Sequence, residues 1–144
     1  MDGAMTEPGE SPHELLNPPT LPPPTGYSHA VVAGPGRTVY LAGQAGHGPE
    51  GSLPDGGLVA HFDAACANIV RALEAAEGRP GHLVSVEIFV TDAAEYRANL
   101  GPIGEAWRRH FGRHFPAVGL FEVKALFDPR ATVELMAVAV IPSD

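Results

Sequence analysis

The stretch Pro116–Ile141, PAVGLFEVKALFDPRATVELMAVAVI, constrains this chain more than any other. Its pattern predicts two long strands, Val118–Leu126 and Ala131–Ile141. A turn at Phe127-Asp128-Pro129-Arg130 joins them, where the fixed φ of proline suits the bend. Side chains alternate faces along a strand. Phe121 and Val123 therefore share one face of the first strand, and Val118, Leu120, Glu122 and Lys124 share the other. In the second strand Val133, Leu135, Ala137 and Ala139 lie opposite Thr132, Glu134, Met136 and Val138. Both faces are largely apolar, which is the pattern of strands that water covers on neither side. Glu134 is the exception. A carboxylate in a dry strand is costly unless it has a partner, a proton or a chemical role. A sheet-edge position, or a bond to a neighbouring chain, would satisfy it without chemistry.

Upstream, the chain changes character. Its first 25 residues hold seven of the 15 prolines and few large apolar groups, so Met1–Thr25 is expected to be a mobile or extended tail whose removal costs little stability. About 120 residues remain for one core, an ordinary domain size. No run approaches the ~18 consecutive apolar residues of a membrane span. The amino-terminal residues lack the basic-then-apolar order of a signal peptide. The single cysteine, Cys66, leaves no internal disulfide to form and fits a reducing cytoplasm. A net charge of −8 argues against a nucleic-acid binder, which normally presents a basic face.

Between tail and C-terminal strands, Tyr27–Gly34 and Thr38–Gln44 read as strands around a Gly34-Pro35-Gly36-Arg37 turn, a hairpin. Gly46–Gly57 is a Gly/Pro loop without the lysine or spacing of a phosphate loop. Leu58–Glu77 is a helix with Phe62, Cys66, Ile69, Leu73 and Ala76 as its buried stripe and Gly78 closing it. Cys66 falls within that stripe, as a small core residue does. His82–Val90 is a strand. Asp92 and Glu95 resemble a capping box for a short turn over Ala93–Asn99. A further helix starts near Pro102, buries Ile103, Trp107 and Phe111, and stops at Gly112. His110 and His114 have a metal-compatible spacing, but Gly112 separates them and neither a carboxylate nor a cysteine completes a set. His47 and His61 are equally isolated, so no metal site is expected.

This order fits an α+β domain, one mixed sheet with two helices packed on one face. The other face would carry Val118, Leu120, Met136 and Val138, and a bare apolar sheet face suits a soluble monomer poorly. Another copy of the chain is the simplest cover, and a pocket at such an interface would contain Glu134.

Several segments, in this order and spacing, resemble the RidA/YjgF family. They are Tyr27-Ser28-His29-Ala30-Val31, Leu41-Ala42-Gly43-Gln44, Ala67-Asn68-Ile69, Leu73-Glu74-Ala75-Ala76, Phe89-Val90-Thr91-Asp92, Pro116-Ala117 and Val133-Glu134. The similarity runs from about Tyr27 to Val140, dividing the chain into a tail, 1–25, and a family-like domain, 26–144. The resemblance implies a chorismate-mutase-like fold and a barrel-shaped homotrimer with three small-molecule pockets between subunits. It also implies hydrolysis of reactive enamines and imines, such as 2-aminoacrylate, to keto acids and ammonia without metal or organic cofactor. By position, Tyr27 matches the pocket tyrosine, Glu134 the acid that handles water or a proton, and Gly43 the glycine bordering the pocket. Phe89 belongs to the same set through its strand end.

Three pocket positions depart from the family pattern. Val118 stands where the deaminases place the arginine that clamps the substrate carboxylate, and a valine offers no such fork. Leu120 replaces the usual cysteine and Ala42 the usual serine; Asn99 lies one position away from the pocket asparagine, with Leu100 in its place. The expected activity is therefore hydrolysis of a less acidic imine, enamine or related metabolite, with Glu134 as general acid/base, and not typical 2-aminoacrylate deamination. A non-catalytic trimer binding a small metabolite is the alternative. RNA cleavage or translation inhibition, labels some family members carry, fits the acidic charge least.

Overall fold

The computed structural model describes residues 10–143. Its core is one four-stranded sheet in the order β3-β6-β4-β5, formed by β3 (Gly36–Gln44), β4 (Leu83–Val90), β5 (Ala117–Glu122) and β6 (Val133–Pro142). β6 runs antiparallel to both neighbours, and β5 runs parallel to β4. Two long helices, α1 (Gly57–Ala75) and α3 (Leu100–Phe111), pack on one face, and the short α2 (Ala93–Ala98) precedes α3. The expected mixed α+β architecture is therefore present.

The α1 stripe is buried through Phe62, Cys66, Ile69 and Leu73 and meets Val86, Ile88, Val133, Leu135 and Ala137 of the sheet. Burial first, and the Asp63 carboxylate second, push the Cys66 thiol well above its ordinary pKa, which suits a core residue. α1 ends in a Schellman arrangement. Gly78 N–H donates to Leu73 O at 2.9 Å and Glu77 N–H to Glu74 O at 2.9 Å. Glu77, not Gly78, takes the left-handed position, with φ 67°. Gly78 is there for closeness: a Cβ would lie 2.8 Å from Leu73 Cδ1. At α2, Asp92 accepts from Glu95 N–H at 3.0 Å, the expected cap, and α3 starts at Leu100, ahead of Pro102.

Three expectations need correction. First, the C-terminal strands are not neighbours. β5 stops at Glu122, β4 lies between it and β6, and residues 123–132 cross over. Local alternation marks each strand but carries no information on partners. Second, Val118 pairs with Val86 and Leu120 with Ile88, and paired residues project from the same face. Val118 and Leu120 therefore lie on the helix side, and Val118 packs on the core. Met136 and Val138 do lie on the uncovered face, as expected, and Tyr40, Phe89 and Phe121 join them there, with Tyr40 81% and Met136 42% exposed.

Third, Tyr27–Gly34 makes no hairpin with the next strand. Its strand, β2 (Ala30–Val32), pairs antiparallel with β1 (Glu14–Leu16), which lies in the proline-rich segment. Residues 1–9 of that segment are outside the described residues, but from Ser11 it is docked on the domain. His13 is buried: Nδ1 accepts from Gly34 N–H at 3.1 Å and Nε2 donates to Val140 O at 2.8 Å. Arg79 Nη1 donates to Glu10 O at 2.9 Å. Proline content concealed one histidine that ties the segment to β6. Deleting residues 1–16 is thus expected to destabilise the domain by roughly 2–4 kcal/mol, from two buried hydrogen bonds plus the strand pairing. Urea unfolding of the truncated and full chains checks this, and equal midpoints and slopes would show that the docking contributes nothing.

Candidate functional site

The site grows out of an irregularity between β3 and β6. Leu41 pairs with Ala137, but Gln44 pairs with Leu135, so three steps on β3 face two on β6. Such a bulge bends a strand and re-aims its side chains. Met136 faces it on β6, and Glu134 follows just past the Gln44–Leu135 pair that closes it. The Gly43 backbone comes so near that a Cβ there would overlap the Glu134 carboxylate, 2.8 Å from Cδ. The acid is not at a sheet edge, because β6 runs between β3 and β4. It is half-buried, and among the described residues no protein donor bonds its oxygens.

A groove of 520 Å³ opens beside it, lined by Glu134, Gly43, His47, Phe127, Asp128 and Pro129, among others. Phe127, at its rim in the β5–β6 crossover, is fully exposed. Asp128 accepts from Arg130 three times: backbone N–H at 2.9 Å, Nε at 3.0 Å and Nη2 at 2.8 Å. His47 Nε2 meets its Oδ2 at 2.8 Å. The bonds from Arg130, then that from His47, hold the Asp128 carboxyl far below the usual carboxylate range. His47 is fixed at its backbone, where its O accepts from Asn68 Nδ2 at 2.8 Å, and Arg71 Nη1 donates to Asn68 Oδ1 at 2.7 Å. His47 was legible in the sequence only as isolated, because Asp128 is 81 residues away.

Of the site residues read from the sequence, Gly43 and Glu134 line this groove. Phe89 pairs with Glu134 across the β4–β6 ladder and stacks on Phe121 at 5.6 Å. Ala42 lines a separate 310 Å³ hollow on the uncovered face, with Tyr40, Glu87 and Met136. Tyr27, Val118 and Leu120 do not line the groove. They gather around β5 instead: Ser28 N–H donates to Pro116 O at 2.9 Å and Ser28 Oγ to Phe115 O at 2.7 Å, so Tyr27 is held at the entry to that strand. One chain thus carries the residues in separate places: the groove, the hollow and the surroundings of β5.

The other histidines are engaged in the fold. His110 Nε2 lies 3.0 Å from Asp63 Oδ1, and Arg109 bonds the same carboxylate. His114 is buried with Nε2 donating to Leu83 O at 2.7 Å. His61 bonds Thr132 Oγ1 at 2.8 Å and Pro54 O at 3.0 Å. Among the described residues no cluster of three His, Cys, Asp or Glu side chains is placed to hold a metal ion. No helix among them is long and apolar enough to cross a membrane.

The fold and site define a small α+β domain with a mid-sheet carboxylate set against a glycine at a bulge. The family model described as Endoribonuclease L-PSP matches residues 19–141, and the chain belongs to that family, the RidA/YjgF family. It is 30% identical over 116 residues to the human 2-iminobutanoate/2-iminopropanoate deaminase, covering 79% of each chain. Among solved structures it resembles the conserved Rid-family protein YyfB from Yersinia pestis, a protein of unknown function (TM-score 0.80, 31% identity, 90% of this chain and 98% of that one). It also resembles the YjgF gene product of E. coli (TM-score 0.65, 26% identity, 81% and 88%).

Proposed function

We propose that this protein hydrolyses imine or enamine metabolites less acidic than 2-aminoacrylate, in pockets completed by a second copy of the chain, as a homotrimer without cofactor. The observation that carries the reading is Glu134, an acid in a central strand with no donor among the described residues, held against Gly43 beside a groove. A carboxylate so placed can move the proton of an attacking or leaving oxygen. The human relative named as an imine deaminase supports the same class. The separation of Tyr27, Val118 and Leu120 from Glu134 supports a pocket shared between chains, as does the exposed face bearing Tyr40 and Met136.

Substrate preference follows from the apolar positions. An arginine fork on a carboxylate is worth about 1.5–3 kcal/mol per charge-assisted bond, so its loss at Val118 is expected to slow 2-aminoacrylate hydrolysis on the order of a hundredfold relative to an arginine-bearing relative. The fork of the Arg130 guanidinium onto Asp128 argues against that side chain as the replacement. The test compares 2-aminoacrylate with carboxylate-free imines generated in situ from isoamylamine and benzylamine by a flavin amine oxidase. Preference for the latter supports the reading. 2-Aminoacrylate turnover equal to that of the arginine-bearing protein contradicts it. Binding of an apolar metabolite with no turnover would favour the non-catalytic reading, which Val118, Leu120 and Ala42 also accommodate. The acidic charge of −8 keeps RNA cleavage the weakest reading despite the family's description.

A further inference from the structure

We propose that His47 is a second acid–base group of the Glu134 groove, oriented by Asp128 and Arg130, so that proton traffic there is shared between an imidazole and a carboxylate. The proposal rests on the imine-hydrolase reading above. Both side chains line the same groove, one from the loop after the β3 bulge and one from β6.

The hydrogen bonds fix which nitrogen is available. Asp128 is an acceptor only, so the proton in the 2.8 Å contact sits on His47 Nε2. In the neutral ring Nδ1 is then a bare acceptor, and among the described residues no protein donor meets it. The imidazole is one-third exposed at the groove wall, 33%, so a small molecule and water can reach it. Asp128 does not need His47 for its own satisfaction, because Arg130 already gives it three hydrogen bonds. The contact therefore orients the imidazole so that Nδ1 faces away from Asp128 as the acceptor for a proton, as a carboxylate behind a catalytic histidine does. Asn68 fixes the backbone from which the ring extends. His47 would touch the reacting atoms, whereas Asp128, Arg130 and Asn68 are positioning residues.

The chemistry balances with these two groups and water. Water oxygen bonds to the iminium carbon, the C=N electron pair moves to nitrogen, and Nδ1 takes one water proton, giving a carbinolamine. Nδ1 returns that proton to the amine nitrogen, and Glu134 takes the hydroxyl proton as the C–N bond breaks. Ammonia leaves with the bonding pair, the carbonyl forms, and Glu134 releases its proton to solvent. One carboxylate alone would have to perform both transfers in succession.

The test uses the full chain and carboxylate-free imines formed in situ from isoamylamine, benzylamine and phenethylamine by a flavin amine oxidase. His47→Gln is expected to lower kcat about 100-fold, the low end of what general acid–base groups supply, and to remove one limb of the pH–rate profile. Asp128→Asn is expected to give a smaller loss. Nitrogen chemical shifts of labelled histidine should show the Nε2–H tautomer in the wild type and lose that preference in Asp128→Asn. Wild-type rates and an unchanged pH profile in folded His47→Gln would overturn the proposal while leaving Glu134 as the acid/base. An Nδ1–H tautomer in the wild type would overturn it as well. A wild-type protein that accelerates none of the three imines would overturn both this proposal and the reading beneath it.

Discussion

Glu134→Gln is expected to reduce imine hydrolysis by about 10²–10⁴-fold, the contribution of a well-placed general acid–base group, while the fold stays intact. Glutamine has nearly the same shape, so the packing against Gly43 is preserved, and no protein donor among the described residues loses an acceptor. The amide can neither take nor give the proton that the carboxylate handles. Stability is expected to hold or rise slightly, since a half-buried charge without a partner is a cost to the folded state. The comparison is kcat for wild type and variant on the best imine, alongside thermal unfolding. Turnover at the wild-type level in Glu134→Gln would remove the central assignment. Gly43→Ala offers a second route to the same point, because its methyl would displace the carboxylate and leave its chemistry unchanged.

The largest loss of stability among single side chains is expected at Trp107→Ala, about 3–5 kcal/mol. Trp107 is buried on α3, meets Phe111 edge-to-face at 4.7 Å and lies parallel to Phe115 at 6.4 Å. Its Nε1–H donates to His114 O at 2.9 Å, fastening the segment between α3 and β5. That segment also holds His114, whose buried Nδ1 has no partner among the described residues and whose imidazole is pushed toward the neutral form chiefly by burial. Removing the indole opens a cavity and strands a carbonyl together. Trp107→Phe keeps most of the ring and separates the two effects, with an expected cost of about 1–3 kcal/mol for the lost hydrogen bond. Denaturant unfolding of both variants checks the ranking. Trp107→Ala within 1 kcal/mol of wild type, an order-of-magnitude threshold for a buried large-to-small change, would show that the neighbourhood collapses without penalty.

What the sequence disclosed followed the range of each signal. The helices were legible because Phe62, Ile69 and Leu73, or Ile103, Trp107 and Phe111, repeat at a spacing that only a helix gathers onto one side. Glu134 was legible because a charge interrupts an apolar strand. Strand partners were not, and β5 beside β4 depends on a parallel pairing across a helical connection, to which Val118 and Leu120 give no local clue. His13 was hidden by the prolines around it, and its partner Val140 lies 127 residues away. The pairing of His47 with Asp128 was hidden in the same manner, and the groove they line exists only once the crossover after β5 is folded over the bulge.

The central place of β6 also has a bearing on how the molecule comes into being. β6 is made after every other element described, yet it is the strand on which β3 and β4 both pair, and those two strands make no pairing with each other. Until it emerges, the sheet has a gap at its middle and the α1 stripe lacks Val133, Leu135 and Ala137, the β6 side chains that complete its core. Contacts so distant along the chain form slowly, and the exposed intermediates they leave are prone to aggregate. The domain is thus most sensitive to aggregation just before β6 is made, and the strand that relieves it is the one carrying Glu134.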